Sequence, residues 1–292
     1  MNLLIKYIDV SLFPGIGRWQ NKDEADRSKL YPRKGWDMGI YDIPKFDELV
    51  KGNSYVGRGI IVGKSEDGKK AVTAYFIMGR STNSRNRVFI ETNDGIIIKP
   101  FDPSKLEDPS LVIYSPVREY KNYMIVTNGD QTDTVFKALE KWDSVFVQNP
   151  VQVVDMSYAF EVGLSARDFE PDGPNFTPRI SAMLSFLKAN DFTYKMNICK
   201  SGDPEGTVCN RYNFSYNALS GLGHFIHTYN HDGNPIPTFT GEPERVFVPN
   251  DIDEFTETIW NGLDEDNKVS LYVSYIDLAN GEKQTRIINK NQ

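Results

Sequence analysis

The sequence predicts an α+β protein built mostly on antiparallel sheets. Three observations lead there. Apolar and polar residues alternate with a period of two over much of the chain. Turn sequences such as Glu66-Asp67-Gly68 and Asn93-Asp94-Gly95 separate successive β-rich runs. Helical periodicity appears only in isolated stretches, without the strict strand–helix alternation of a parallel sheet.

Taken in order, residues 1–53 read as an N-terminal extension packed on the body. They include a strand-like run from Ile5 to Val10, a charged, aromatic stretch from Gln20 to Trp36, and a short helix near Phe46 to Lys51. The body, 54–292, opens with strands at Tyr55 to Gly63 and Ala71 to Met78. Val88 to Glu91, Ile96 to Lys99, Leu111 to Tyr114 and Tyr123 to Val126 continue the pattern, the last pair turning near Lys121-Asn122. After Asn128-Gly129 the period lengthens, and Val135, Leu139 and Trp142 share one helical face. Asp130 and Asp133 stand at the start of that helix as its expected caps. A second helix is expected from Val151 to Phe160.

Alternation returns from Ile180 through Met183 to Leu187, Tyr194 to Cys199, Tyr212 to Asn217, His224 to Thr228 and Val246 to Val248. A helix over about Ile252 to Leu263 and a hairpin turning at Asn280-Gly281 complete the chain. The 15 tyrosines and 17 phenylalanines fit this sheet-rich reading, because planar rings pack well on pleated surfaces.

The formal charge of −7 argues against a nucleic-acid partner, which needs a broad basic face. It leaves room for a phosphorylated small molecule, for which a few local arginines suffice. The two cysteines, Cys199 and Cys209, are expected to be reduced thiols, and no zinc-binding spacing is present. The run from Leu3 to Val10 is too short and too polar for a signal peptide or a membrane span, so no membrane partner is expected and the expected address is the cytoplasm. The sequence leaves a homo-oligomer open.

Four segments carry chemistry. Gly79 to Arg87 places Arg80, Arg85 and Arg87 among Ser81, Asn86 and other polar residues. Guanidinium forks at that density suit a phosphate or carboxylate, the alternative being a solvated basic loop. Thr127 to Asp133 turns a strand into a helix. There the aspartates would repel a phosphate, which leaves Asn128 free to meet a ligand. Phe169 to Arg179 crowds Glu170, Asp172, Asn175, Thr177 and Arg179 into a proline-rich loop before a strand. Glu170 beside an arginine reads equally as a general base or as one half of an ion pair. In the segment around His224 and His227 the two histidines fall on opposite faces of a strand, which weakens a shared metal site.

Together, and in this order, these segments resemble the archaeal-type, single-function IMP cyclohydrolase family. The resemblance runs from Tyr55-Val56-Gly57-Arg58 through Arg80-Ser81, Asn86-Arg87, Thr127-Asn128-Gly129 and Thr132-Asp133. It culminates in Glu170 and Thr177-Pro178-Arg179-Ile180, with weaker echoes toward Glu242. The arginine loop is slightly longer than the family pattern, leaving Arg85 as an addition. Gln131 stands where archaeal members tend to carry histidine.

The resemblance implies an Ntn-hydrolase-like four-layer α/β/β/α sandwich, without the self-processed N-terminal nucleophile of those hydrolases. It also implies ring closure of 5-formamidoimidazole-4-carboxamide ribotide to IMP with loss of water, needing no cofactor and no metal. A separate formyltransferase would act upstream. The family's functional positions fall on Glu170, Arg87, Tyr55 and Asn128 as catalytic residues. Those that would bind the purine nucleotide are Arg58, Arg80, Ser81, Asn86, Asp130, Thr177 and Arg179. On that reading Arg80 and Arg87 hold the 5′-phosphate or a polarised oxygen, and Glu170 orients or deprotonates the carboxamide. Tyr55, Asn128 and Arg179 would donate to the formyl oxygen. Two rival readings stand beside it: a catalytically silent purine-nucleotide-binding protein of the same fold, and an amidohydrolase that would need a freed N-terminal nucleophile.

Overall fold

The computed structural model describes residues 42–105, 113–146 and 155–291. Residues 43–53 lie in the same compact unit as the body that the sequence reading begins at 54. The expected strand at Ile5 to Val10, and the packing of the first segment, lie outside the described residues.

Two sheets make up this compact unit. Strands β1 (Arg58–Lys64), β2 (Lys70–Met78), β10 (Leu222–His227), β11 (Glu244–Phe247), β12 (Lys268–Asp277) and β13 (Lys283–Asn289) form the first, in the order β11-β10-β1-β2-β12-β13. The second runs β3-β4-β5-β6-β7-β8-β9. Its members are β3 (Val88–Thr92), β4 (Gly95–Lys99), β5 (Val117–Tyr120), β6 (Tyr123–Thr127), β7 (Arg179–Lys188), β8 (Asp191–Ser201) and β9 (Cys209–Asn217). Every pairing within the two sheets is antiparallel. This is the α+β, antiparallel architecture the sequence predicts.

The period of two sends successive side chains of the central strands into different cores. Ile60 and Val62 of β1 join a core shared with Met124 and Val126 of β6, Ile180 of β7 and Tyr194 of β8, which lies between the sheets. Ile61 points the other way, into a second core with helices α1 (Phe46–Leu49) and α5 (Ile252–Gly262). Tyr123 and Ile125 turn from the shared core toward α3 (Gln131–Phe146) and α4 (Tyr158–Ser165), meeting Val135, Leu139, Phe160 and Leu164. A further short helix, α2 (Thr82–Arg85), lies in the arginine loop.

Local signals set the helix limits. The Asp251 side chain accepts from the amides of Asp253 at 2.7 Å and Glu254 at 2.9 Å, capping α5. Ile252, Phe255 and Ile259 then repeat on one buried face. Phe46, fully buried, meets the rings of Phe76 at 5.7 Å and Phe225 at 5.2 Å edge-on, which ties α1 to the first sheet.

Two elements depart from expectation. The strand preceding the Lys121-Asn122 turn is Val117–Tyr120, where Leu111 to Tyr114 was expected; residues 111 and 112 lie outside the described residues, and Ile113 and Tyr114 are not in a strand. The β-branched run misled because what defines the true strand is its pairing with β6, from Val117 opposite Val126 to Tyr120 opposite Tyr123. The helix expected over Val151 to Phe160 is α4 at Tyr158–Ser165, and residues 151–154 lie outside the described residues. Cys199 and Cys209 are free thiols, and burial pushes Cys199 up to about 12. Among the described residues no helix is long and apolar enough to cross a membrane.

His224 and His227 do face opposite sides of β10. His224 lies 2.6 Å from the Tyr194 hydroxyl through Nδ1 and stacks on Tyr216 at 3.7 Å, while His227 stacks on Phe225 at 4.6 Å. Burial, and then the Arg245 charge, pull His224 from 6.5 down to about 4. With the folded value depressed, the unfolded chain binds the proton first as the pH falls. The stabilisation is therefore complete above 6.5 and lost on the way down through about 4. Wild-type protein should lose melting temperature between pH 7 and about 4.5 more steeply than His224→Phe in calorimetric scans at fixed ionic strength. Parallel slopes would remove His224 as the cause.

Candidate active site

Sheet topology brings distant positions to one end of the molecule. Arg58 opens β1, Arg87 immediately precedes β3, Thr127 ends β6, and Arg179 opens β7. The loop before β7 carries Glu170, and Tyr229 follows β10. Gly57 makes the approach to Arg58 feasible: its φ of +77° is a left-handed conformation, and a Cβ there would lie 2.1 Å from Thr228 Oγ1.

At the centre, Arg58 Nη1 lies 3.5 Å from Glu170 Oε2, with side chains 14% and 8% exposed. Burial disfavours the Arg58 charge, but the Glu170 carboxylate together with Tyr114, Tyr75 and Tyr229 more than offsets it and holds that guanidinium well above its usual proton affinity. Arg87 also feels Tyr114, Glu170 and Tyr75, but these do not offset its burial and the neighbouring Arg58 charge. Among the described residues, the buried Nε and Nη1 of Arg87 have no hydrogen-bond partner. Burial, followed by the Arg58 charge, pulls it below the ordinary arginine value. Two guanidiniums thus face one carboxylate, and the surplus is positive.

Tyrosines complete the wall. Tyr75 and Tyr114 place their hydroxyls 2.9 Å apart, both within the electrostatic reach of Arg58 and Arg87. Tyr55 stacks on Tyr229 with ring centroids 5.8 Å apart, and the Arg80 guanidinium lies 5.0 Å from the Tyr55 ring centre. Burial raises all four phenols, so they are neutral and able to donate near neutral pH. The Tyr229 hydroxyl is 2.6 Å from Thr177 Oγ1, which also bonds Asp172.

The sequence-predicted residues therefore separate into groups. Tyr55, Arg58, Arg80, Arg87 and Glu170 converge, with Thr177 reached through Tyr229. Arg80 is engaged as well by Asp232 and by the Gly233 carbonyl at 2.9 Å. Ser81 caps α2 by accepting from the Ser84 amide, and Asn86 exchanges two hydrogen bonds with the backbone of Asp102. Asn128 is not free as expected. Its amide donates to Pro178 O at 2.8 Å and accepts from Ile180 N and Gln131 Nε2, each at 2.9 Å. Asp130 meets Arg167 and Arg179, and Asp133 meets Arg118, so these aspartates serve ion pairs where caps were expected. Gly129 permits that arrangement, since a Cβ would sit 2.5 Å from Arg179 Nη1.

Sequence reasoning missed Tyr75, Tyr114, Tyr229 and Arg167. The tyrosines sit among β-rich residues as core aromatics do, and nothing local marks their hydroxyls.

A cavity of about 540 Å³ lies at the opposite strand ends, lined by Met124, Phe186, Asp191, Ile276 and Leu278 among others. Two of its lining cations, Lys121 and Lys283, already pair with Asp143 and Glu119. Lys188 there is exposed, whereas the arginine end holds a buried guanidinium without a hydrogen-bond partner among the described residues, and we take that end as the site. Among the described residues no cluster of three or more His, Cys, Asp or Glu side chains is arranged to hold a metal.

This arrangement, in an antiparallel α+β body, suits a protein that holds an anionic small molecule against a carboxylate. Residues 55–282 match the IMP cyclohydrolase-like protein family, and the chain belongs to that family. An IMP cyclohydrolase of Methanococcus aeolicus is 32% identical over 155 residues, covering 51% of this chain and 70% of that protein. Those of Methanopyrus kandleri and Methanocella arvoryzae are 34% and 30% identical, covering 44% and 45% of this chain and 57% and 58% of their own lengths. Of these three proteins, the chain spans more than two thirds of the first and under two thirds of the other two.

A buried charge without a partner costs folding free energy, so replacing it with an apolar side chain of similar length should relieve the strain. Arg87→Met is expected to melt at or above the wild-type temperature, by up to roughly 2 kcal/mol in urea unfolding. A marked loss of stability would make Arg87 a structural residue.

Proposed function

We propose that this chain is an IMP cyclohydrolase that closes 5-formamidoimidazole-4-carboxamide ribotide to IMP. The observation that carries the reading is the buried Arg87 guanidinium, unpartnered beside Arg58 and Glu170, within the region matching the family. A substrate with an anionic group and a polarised formyl oxygen would supply the missing acceptor. We further propose that the two sheets with helices on their outer faces form an Ntn-hydrolase-like four-layer sandwich. In support, one apolar core joins the two sheets and separate cores join each sheet to its helices.

The reaction is intramolecular, so most of the entropic cost of bringing the reactants together is already met. The carboxamide nitrogen adds to the formyl carbon, forming the new C–N bond, and the carbonyl electron pair moves onto oxygen. That oxygen leaves as water with two protons, one from the carboxamide nitrogen and one from the formamide nitrogen, as the ring C=N forms. In this reading Glu170 accepts the carboxamide proton and returns it to the departing oxygen. Neutral tyrosine hydroxyls, Tyr114 or Tyr55, and the Arg87 guanidinium are the donors for the developing oxyanion, where one well-placed donor contributes ~3 kcal/mol. Arg58 orients Glu170 and, with Arg80, adds positive potential for the phosphate. Asn128 and Arg179 act behind this layer by fixing the strand end. Formylation of the substrate belongs to a separate enzyme acting upstream, and the cytoplasm is the proposed setting.

Following IMP absorbance after adding the formylated ribotide should show acceleration over the slow uncatalysed cyclisation. Glu170→Gln should lower kcat about 10²- to 10⁴-fold while the protein stays folded. Near-normal turnover in that variant would remove Glu170 from proton transfer, and no acceleration by wild-type protein would sink the reading.

A further inference from the structure

Glu170 sits in an irregular loop, yet its carboxylate has a defined place against Arg58. What fixes the loop is visible at its two ends. Arg167, just after α4, and Arg179, at the start of β7, both direct a guanidinium Nη atom to the same oxygen, Asp130 Oδ1; for Arg179 the distance is 2.8 Å. Arg179 is held a second time by Gln131 Oε1 at 2.7 Å. The Arg167 carbonyl, in turn, accepts from Arg211 on β9 at 2.9 Å.

Inside this closure the loop is cross-tied. The Glu170 amide donates to Thr177 O at 2.9 Å, and the Thr177 amide donates to Asp172 Oδ1 at 2.6 Å. Any change at the base is therefore transmitted to Glu170 within three residues on one side. On the other side it passes through the Thr177 bond. Burial raises the proton affinity of Asp130, but Arg167 and Arg179 more than reverse this and keep it ionised.

We propose that Asp130 is a positioning residue: through Arg167 and Arg179 it staples both ends of the 167–179 loop and so holds Glu170 in place. This takes the place of the nucleotide contact expected for Asp130 from its sequence position. Its catalytic consequence rests on the proposed role of Glu170, whereas the staple itself does not.

The test compares Asp130→Asn, Asp130→Glu and Arg167→Met with wild-type protein. The Arg167 side chain is only partly buried, so that variant should fold even if Asp130→Asn does not. Expected are a fall in kcat of about 10- to 100-fold in Asp130→Asn and Arg167→Met with KM changed less than about threefold, and partial recovery of kcat in Asp130→Glu. Hydrogen exchange of peptides spanning 167–179 should quicken in the first two variants, with exchange of the sheets unchanged. A rise in KM with kcat intact would overturn the proposal, because Asp130 would then touch the nucleotide. Unchanged exchange would overturn it too. Failure of the wild-type protein to cyclise the ribotide would reject the proposed reaction, while the exchange data would still decide the staple.

Discussion

Burying two guanidiniums beside one carboxylate is the constraint on which the site depends. Removing an ion from water costs several kcal/mol even after relaxation, so such groups persist only where the surrounding fold holds them. Here Arg58 opens β1 and Arg87 stands immediately before β3, and these strands belong to different sheets. The core between the sheets, with Ile60, Tyr75, Phe89 and Ile180 buried in it, holds those strand ends together. Glu170 pairs with one of these charges, and the other has no hydrogen-bond acceptor among the described residues.

Around that centre the polar groups fall into two layers. Residues with spare hydrogen-bonding capacity, such as Arg87 and the neutral tyrosines, line the inside. Residues whose capacity is spent on the protein, such as Asn128, Gln131, Asp130 and Arg179, lie behind them. An enzyme that relies on positioning needs the second layer as much as the first, because donors help only where charge develops. The second layer also explains why the Thr127–Asp133 turn is so polar although it presents little free side chain.

Much of the fold was legible in the sequence because hairpins are encoded locally. Glu66-Asp67-Gly68 and Asn93-Asp94-Gly95 mark turns, and the alternating runs beside them became β1 to β4 nearly at their expected limits. Legibility failed where tertiary pairing outweighs propensity, as with Val117–Tyr120. The arginine and Glu170 segments were legible through their ordered resemblance to a family. Tyr75, Tyr114 and Tyr229 were not, because in a strand a tyrosine's hydroxyl environment depends on which sheet end it reaches. The commitment of Asn128 to Pro178 and Ile180 was likewise hidden, being a contact across 50 and 52 residues of chain.

The most direct test of the central claim, that Arg87 is buried unpaired in order to meet an anionic nucleotide, is calorimetric titration of IMP into wild-type protein and Arg87→Met. The account predicts binding by the wild type and affinity lower by about 30-fold or more in the variant, since a ligand charge would lose its buried partner. Equal affinity in both proteins would contradict it.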